Sequence, residues 1–218
     1  MKEKIIGRTA TKTHPASDAV GYALYAFGGL GTEGLLMSME TMLYGQPFGA
    51  WTPLKSIAHW LLTCLIWGGF AIVLTKRLPA APQNRIQKKN AIAAIALACV
   101  SILFTSLAWK GFKPGIEAAH LGAGRFAAQY LYYAFESWLV LLIVAHGQLA
   151  FEHRFGSRNV PFGGIFLAGT WGLVHILTQG AATGIYTVIQ SLLFGSVYVL
   201  LNKNYKISYV AMALMFML

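Results

Sequence analysis

Six stretches of this chain, near residues 19–43, 57–75, 91–109, 128–150, 162–178 and 183–201, stay apolar for longer than a soluble core requires. A hydrocarbon layer about 30 Å thick takes about 20 helical residues at about 1.5 Å each. Backbone polar groups must find partners within the segment when no water is present, so runs of this kind fold as helices. Composition agrees, because 56% hydrophobic against 11% charged residues lies far from the soluble average. The expected fold is therefore all-α, a polytopic membrane helix bundle with six full transmembrane helices. A short seventh run, Ile207 to Leu218, reaches roughly halfway across. The first sixteen residues are polar and basic, with no short apolar stretch or small-residue cleavage site behind them. Residues 1–16 are thus expected to be a cytoplasmic basic N-terminus, and residues 17–218 a single transmembrane domain whose first span is retained as an anchor.

The positions of the 17 Lys and Arg set the orientation, since short cytoplasmic loops carry the excess. Lys2, Lys4, Arg8 and Lys12 precede the first span, and Lys76, Arg77, Arg85, Lys88 and Lys89 follow the second. Arg154 and Arg158 follow the fourth, and Lys203 and Lys206 the sixth. The alternate loops hold only Lys55, Lys110, Lys113 and Arg125. The chain reads as N-terminus in, with anionic lipid on the cytoplasmic side as the partner of its +10 net charge. Nucleic acid is not an expected partner, because no soluble domain organises the basic residues.

A carboxylate at mid-bilayer depth costs roughly 2.5 to 3.5 kcal/mol on insertion scales, so polar residues there usually face a bundle interior and carry function. Of seven acids, Glu3, Asp18, Glu117 and Glu152 fit loops or interfaces, leaving Glu33, Glu40 and Glu136 at depth. Glu33 and Glu40 are two helical turns apart and share a face with Met37. That face reads either as an acidic strip along a polar cavity or as an interfacial helix with Glu40 near the outer surface. Glu136 follows Tyr132 and Tyr133 by one turn. His175 has Trp171 one turn before it and Gln179 one turn after, so one helix face presents an aromatic, an imidazole and an amide. Glu136 and His175 are expected to share one functional site, with Trp171, Gln179 and Glu33 beside it, and His59 is expected at the outer interface.

Several chemistries find no support in the pattern. Cys64 and Cys99 lie inside spans and fit neither a disulfide framework nor a metal site. His146, Glu152 and His153 do not form a zincin spacing. A nucleophile elbow, a P-loop and a dinucleotide fingerprint are all lacking. Neither a metal nor a cofactor is expected.

A Glu in one span followed by aromatic-x-x-x-His in the next resembles the CAAX-protease and bacteriocin-processing family of intramembrane proteases, also called the Abi family. The resemblance covers roughly residues 128–218. Glu136 matches the first position of the family's Glu-Glu-x-x-x-Arg motif, and Trp171 and His175 stand for Phe-x-x-x-His. Ser137 and Leu141 replace the second Glu and the Arg. Met212 and Phe216 fall where His and Asn belong in the third motif. The resemblance implies that Glu136 activates water and that His175 assists. Gln148, Gln179, Asn202 or Glu33 is left to supply the donor that the third motif lacks.

Three readings follow. The first is a glutamate-type intramembrane endopeptidase acting on a prenylated or bacteriocin-type peptide held near the cytoplasmic face. The second is a non-catalytic relative that binds a peptide or partner in immunity or maturation. The third is a small proton-coupled transporter with Glu33, Glu40 and Glu136 as relay groups.

Overall fold

A computed structural model describes residues 16–82 and 84–218, so Glu3 and the basic residues Lys2 to Lys12 lie outside the described residues. Helix α1 spans Ala16–Tyr44, and a 3-10 turn, Phe48–Ala50, leads to α2 at Pro53–Thr75. Helices α3 (Lys88–Ala108) and α4 (Lys113–Phe155) follow. The next run is divided into α5 (Phe162–Leu167), a π-helical turn (Ala168–Gly172) and α6 (Leu173–Gln179). Helices α7 (Ala181–Leu200) and α8 (Tyr205–Met217) complete the described residues, among which there is no strand.

Four helices, α2, α3, α4 and α7, are long and apolar enough to cross a membrane. Helix α1 has the length, with 29 residues, but carries Asp18, Glu33 and Glu40. The α5–α6 run is interrupted, and α8 has 13 residues. The count of spans by length and composition is therefore four, against the six full helices and short seventh read from the apolar runs. The outer surface fits a lipid environment: Leu65, Leu103 and Leu177 are 75%, 60% and 85% exposed, and similar side chains ring the bundle.

Helix α4 is the hub, packing against α1, α2, α5, α7 and α8. Its run from Leu139 to Ala145 is fully enclosed, with Trp67, Leu167, Phe194, Met212 and Met215 around it. The α5–α7 crossing depends on two glycines. A Cβ on Gly164 would meet the Ser191 carbonyl at 2.7 Å and the Gly195 Cα at 2.9 Å, so only bare backbone fits. Helix α3 is held to α7 by a buried polar clamp. Ser101 donates to Gln190 Oε1 at 2.7 Å, and Gln190 Nε2 donates to Thr105 at 2.9 Å and Tyr186 at 3.0 Å.

Two other glycines shape the region that becomes the site. Gly122 breaks α4 at φ 72° and ψ 165°, so residues 113–121 form a separate helical arm ahead of the long hub. Gly180 joins α6 to α7 at φ 89° and ψ 168°. Both conformations are open essentially to glycine alone. The arm contains Lys113 and Glu117, which are buried rather than set in a solvated loop.

Candidate functional site

A cavity of about 1220 Å³ opens between the helices, and most of the expected site residues line it. Glu33 enters from α1, Glu136 from α4, Trp171 from the π-helical turn, and His175 and Gln179 from α6. The hub places Glu136 one turn below Tyr132 and Tyr133, and both tyrosines also face the cavity. Local widening of the helix at Ala168–Gly172 sets the direction of Trp171, a feature often found where a helix must aim a side chain at a site.

The geometry fixes the state of His175. Its Nδ1 lies 2.7 Å from the Trp171 carbonyl, which only accepts, so Nδ1 carries the hydrogen. In the neutral ring the lone pair is then on Nε2, the nitrogen available to a proton. The Trp171 indole stands edge-on to the imidazole with centroids 4.6 Å apart, which limits ring rotation. Glu136 is buried, and Trp171 is near enough to its carboxyl to interact with it. One aromatic residue thus neighbours both the carboxyl and the imidazole.

Glu33 and Glu40 face a partner that spacing alone does not reveal. His59 of α2 is fully buried between them. Its Nδ1 pairs with Glu40 Oε2, and its Nε2 lies 3.7 Å from Glu33 Oε1. Phe48 and Trp51 pack on the imidazole with centroids 5.6 Å away. Glu40 is accordingly buried, and only Glu33 of the two acids reaches the cavity.

Gln148 does not join the site. Its Oε1 accepts from Gly163 N at 2.9 Å, and its Nε2 donates to the Val160 carbonyl at 2.8 Å and to Glu152 at 2.7 Å. It staples the turn between α4 and α5, beside the Lys203–Glu152 ion pair. Asn202 lies at the same end, donating to the Asn84 carbonyl at 3.4 Å. Of the two third-motif positions, Met212 is buried in the core and Phe216 lines the cavity.

Lys113 is the cavity residue that the loop assignment missed. It is 6% exposed and donates to the Phe216 carbonyl at 2.9 Å. Its ammonium lies 4.3 Å from the Tyr133 ring centre, 4.9 Å from Phe216 and 5.6 Å from Trp109. Glu117 accepts from Tyr133 at 2.7 Å and from Tyr130 at 2.9 Å, completing the wall behind it. The signal in the sequence is aromatic residues on both sides of a lysine near a Gly-Pro turn, which reads equally well as a loop.

The cavity also has a definite place along the bundle. Its lining comes from the C-terminal parts of α1, α3, α6 and α8 and from the N-terminal parts of α2, α4 and α7. Lys76, Arg77, Lys88, Lys89, Arg154, Arg158, Lys203 and Lys206 lie at or beyond the opposite ends of these helices. The site is therefore remote from the basic face, where the peptide was expected to be held. Among the described residues no cluster of His, Cys, Asp and Glu could hold a metal ion. No protein-family model, curated protein or solved structure matches this chain.

Proposed function

We propose that this chain is a divergent relative of the CAAX-protease and bacteriocin-processing family and hydrolyses a peptide bond at the membrane. The observation that supports the reading most is that Glu136 and the Trp171–His175 pair, on different helical units, line one cavity. The cavity exceeds the roughly 300–1,000 Å³ of most small-molecule clefts and so suits a segment of polypeptide. In the proposed reaction the Glu136 carboxylate takes a proton from water as the oxygen attacks the scissile carbonyl. His175 Nε2 assists the transfer of that proton to the leaving nitrogen as the C–N bond breaks. Of the two side-chain amides in the lining, Gln129 donates to the Tyr133 hydroxyl at 2.6 Å, and Gln179 is assigned as donor to the developing oxyanion.

In this reading α1 and the α5–α6 unit also cross the bilayer, giving six crossings with α8 as a half-helix. The basic loops face the cytoplasm and anionic lipid, with the N-terminus inside a bacterial plasma membrane, so the cavity opens toward the outer half of the bilayer.

The test is cleavage of a hydrophobic peptide library by the protein in liposomes, read by mass spectrometry. Wild type is expected to release fragments. Glu136→Gln and His175→Ala are each expected to lower the rate about 100-fold or more, as loss of general acid–base assistance does. Undiminished cleavage in both variants contradicts the assignment.

A second reading, peptide binding without catalysis, draws on Met212 and Phe216, apolar where the family carries His and Asn. It predicts saturable peptide binding with no fragments from any variant. The proton-coupled transporter is the weakest of the three proposals, because Glu40 pairs with His59 outside the cavity lining.

A further inference from the structure

The hydrolase reading leaves the Glu33–His59–Glu40 group unused. His59 is wholly enclosed, and its Nδ1 donates to Glu40 Oε2, so in the neutral ring the lone pair lies on Nε2. In this orientation a carboxylate prepares an imidazole to accept a proton. Nε2 is buried and has no hydrogen-bond partner among the described residues, an exception that calls for a cause in a folded protein. It faces Glu33 Oε1 at 3.7 Å. That is roughly 0.7 Å beyond a usual N–H···O bond, and the Glu33 side chain, 26% exposed, has room to close the gap. Glu33 in turn lines the cavity, where Tyr132 and Glu136 are near enough to interact with it.

We propose that Glu33, His59 and Glu40 form a proton store in the cavity wall, with Glu33 as the group that exchanges protons with cavity water. The transfer balances without a further reactant. A proton on Glu33 moves to His59 Nε2 as the carboxyl O–H bond breaks and the N–H bond forms, leaving an imidazolium between two carboxylates. The reverse step returns the proton to the cavity. Neighbouring cations are engaged elsewhere. Lys55, one turn earlier on α2, lies 4.2 Å from the Tyr44 ring centre, and Arg125 of α4 donates to the carbonyls of Leu121 and His120. The 3-10 turn and its flank bring only the rings of Phe48 and Trp51 to the imidazole. Lys113, Tyr132, Tyr133 and Glu136 of α4 and His175 of α6 lie on the cavity's other walls. All three residues of the store come from the C-terminal part of α1 and the N-terminal part of α2, the cavity's own end of the bundle. Protons therefore leave and return on one side rather than cross the bilayer, and the store needs no peptide to operate.

The test is exchange of the His59 ring N–H hydrogens with water, read by nuclear magnetic resonance on the full-length protein, isotope-labelled at histidine, in nanodiscs without substrate. Glu33→Gln keeps a polar side chain of the same length but cannot carry the proton, and it is expected to slow the exchange about 100-fold, the scale of general acid–base assistance. Glu33→Ala is expected to slow it equally, and added formate, small enough for the cavity, to restore it. A purely structural ion pair gives slow exchange in all of these samples and no response to formate. Wild-type exchange no faster than that of the backbone amides in the enclosed run from Leu139 to Ala145 overturns the proposal, a result that needs no variant to fold. Exchange undiminished in Glu33→Gln overturns it as well, as does a slow Glu33→Ala variant that formate leaves unchanged.

Discussion

The Glu33–His59–Glu40 arrangement gives a prediction whose size follows from its burial. His59 is wholly enclosed, and the Glu40 side chain is 11% exposed. Replacing His59 by Phe keeps a ring against Phe48 and Trp51 but removes both nitrogens. Breaking a buried ion pair by deleting one partner costs about 3–5 kcal/mol, because the other charge is stranded. Two features reduce that figure: the Glu33 side chain is 26% exposed, and a stranded carboxyl can take up a proton. A loss of about 2–4 kcal/mol remains, which in a chain of this length corresponds to about 5–15 °C in Tm. Intrinsic tryptophan fluorescence during a thermal ramp in detergent measures it. Replacing both partners with apolar groups removes the stranded charge, so His59→Phe combined with Glu40→Leu is expected to recover most of the loss. The reasoning is refuted if His59→Phe melts with the wild type, or if the double variant loses the sum of the two singles within about 0.5 kcal/mol.

Gln148→Leu strands the Gly163 N–H and the Val160 carbonyl, so it is expected to cost about 2–4 kcal/mol in the same melt while leaving peptide affinity at the cavity unchanged. Gly164→Ala drives a methyl into the backbone of α7 and is expected to cost about 1–3 kcal/mol, whereas Gly21→Ala, with open space around it, is expected to be neutral or up to about 1 kcal/mol stabilising. Equal melting of the two alanine variants would contradict the close approach of α5 to α7.

Helix positions were legible because lipid forces apolar side chains into uninterrupted runs. The run at 57–75 ends with α2 at Thr75, and the break between the last two long runs falls at Gly180. Glu136 and His175 stood out for the same reason, as expensive polar groups inside such runs. Partners across helices were less legible. The two-turn spacing of Glu33 and Glu40 gives their shared face but not that His59 fills it. Gln148 looked like a site residue because it is polar at depth, yet the turn after α4 needs its amide for three contacts. Lys113 was hidden by its setting. Gly111 and Pro114 flank it as turn residues do, and only the kink at Gly122 turns that segment into an arm that folds back on the bundle.

The central claim is that Glu136 and His175 act as parts of one site, in the cavity remote from the basic ends of the helices. Groups that act as a unit lose their effect together, so the two substitutions should not multiply. The decisive measurement is the peptide-cleavage rate in liposomes for wild type, Glu136→Gln, His175→Ala and the double variant. The account predicts clear cleavage by wild type and a double variant no slower than Glu136→Gln within about threefold, from the rough error of such couplings. Losses that multiply, or a wild type that releases no fragments, would contradict it.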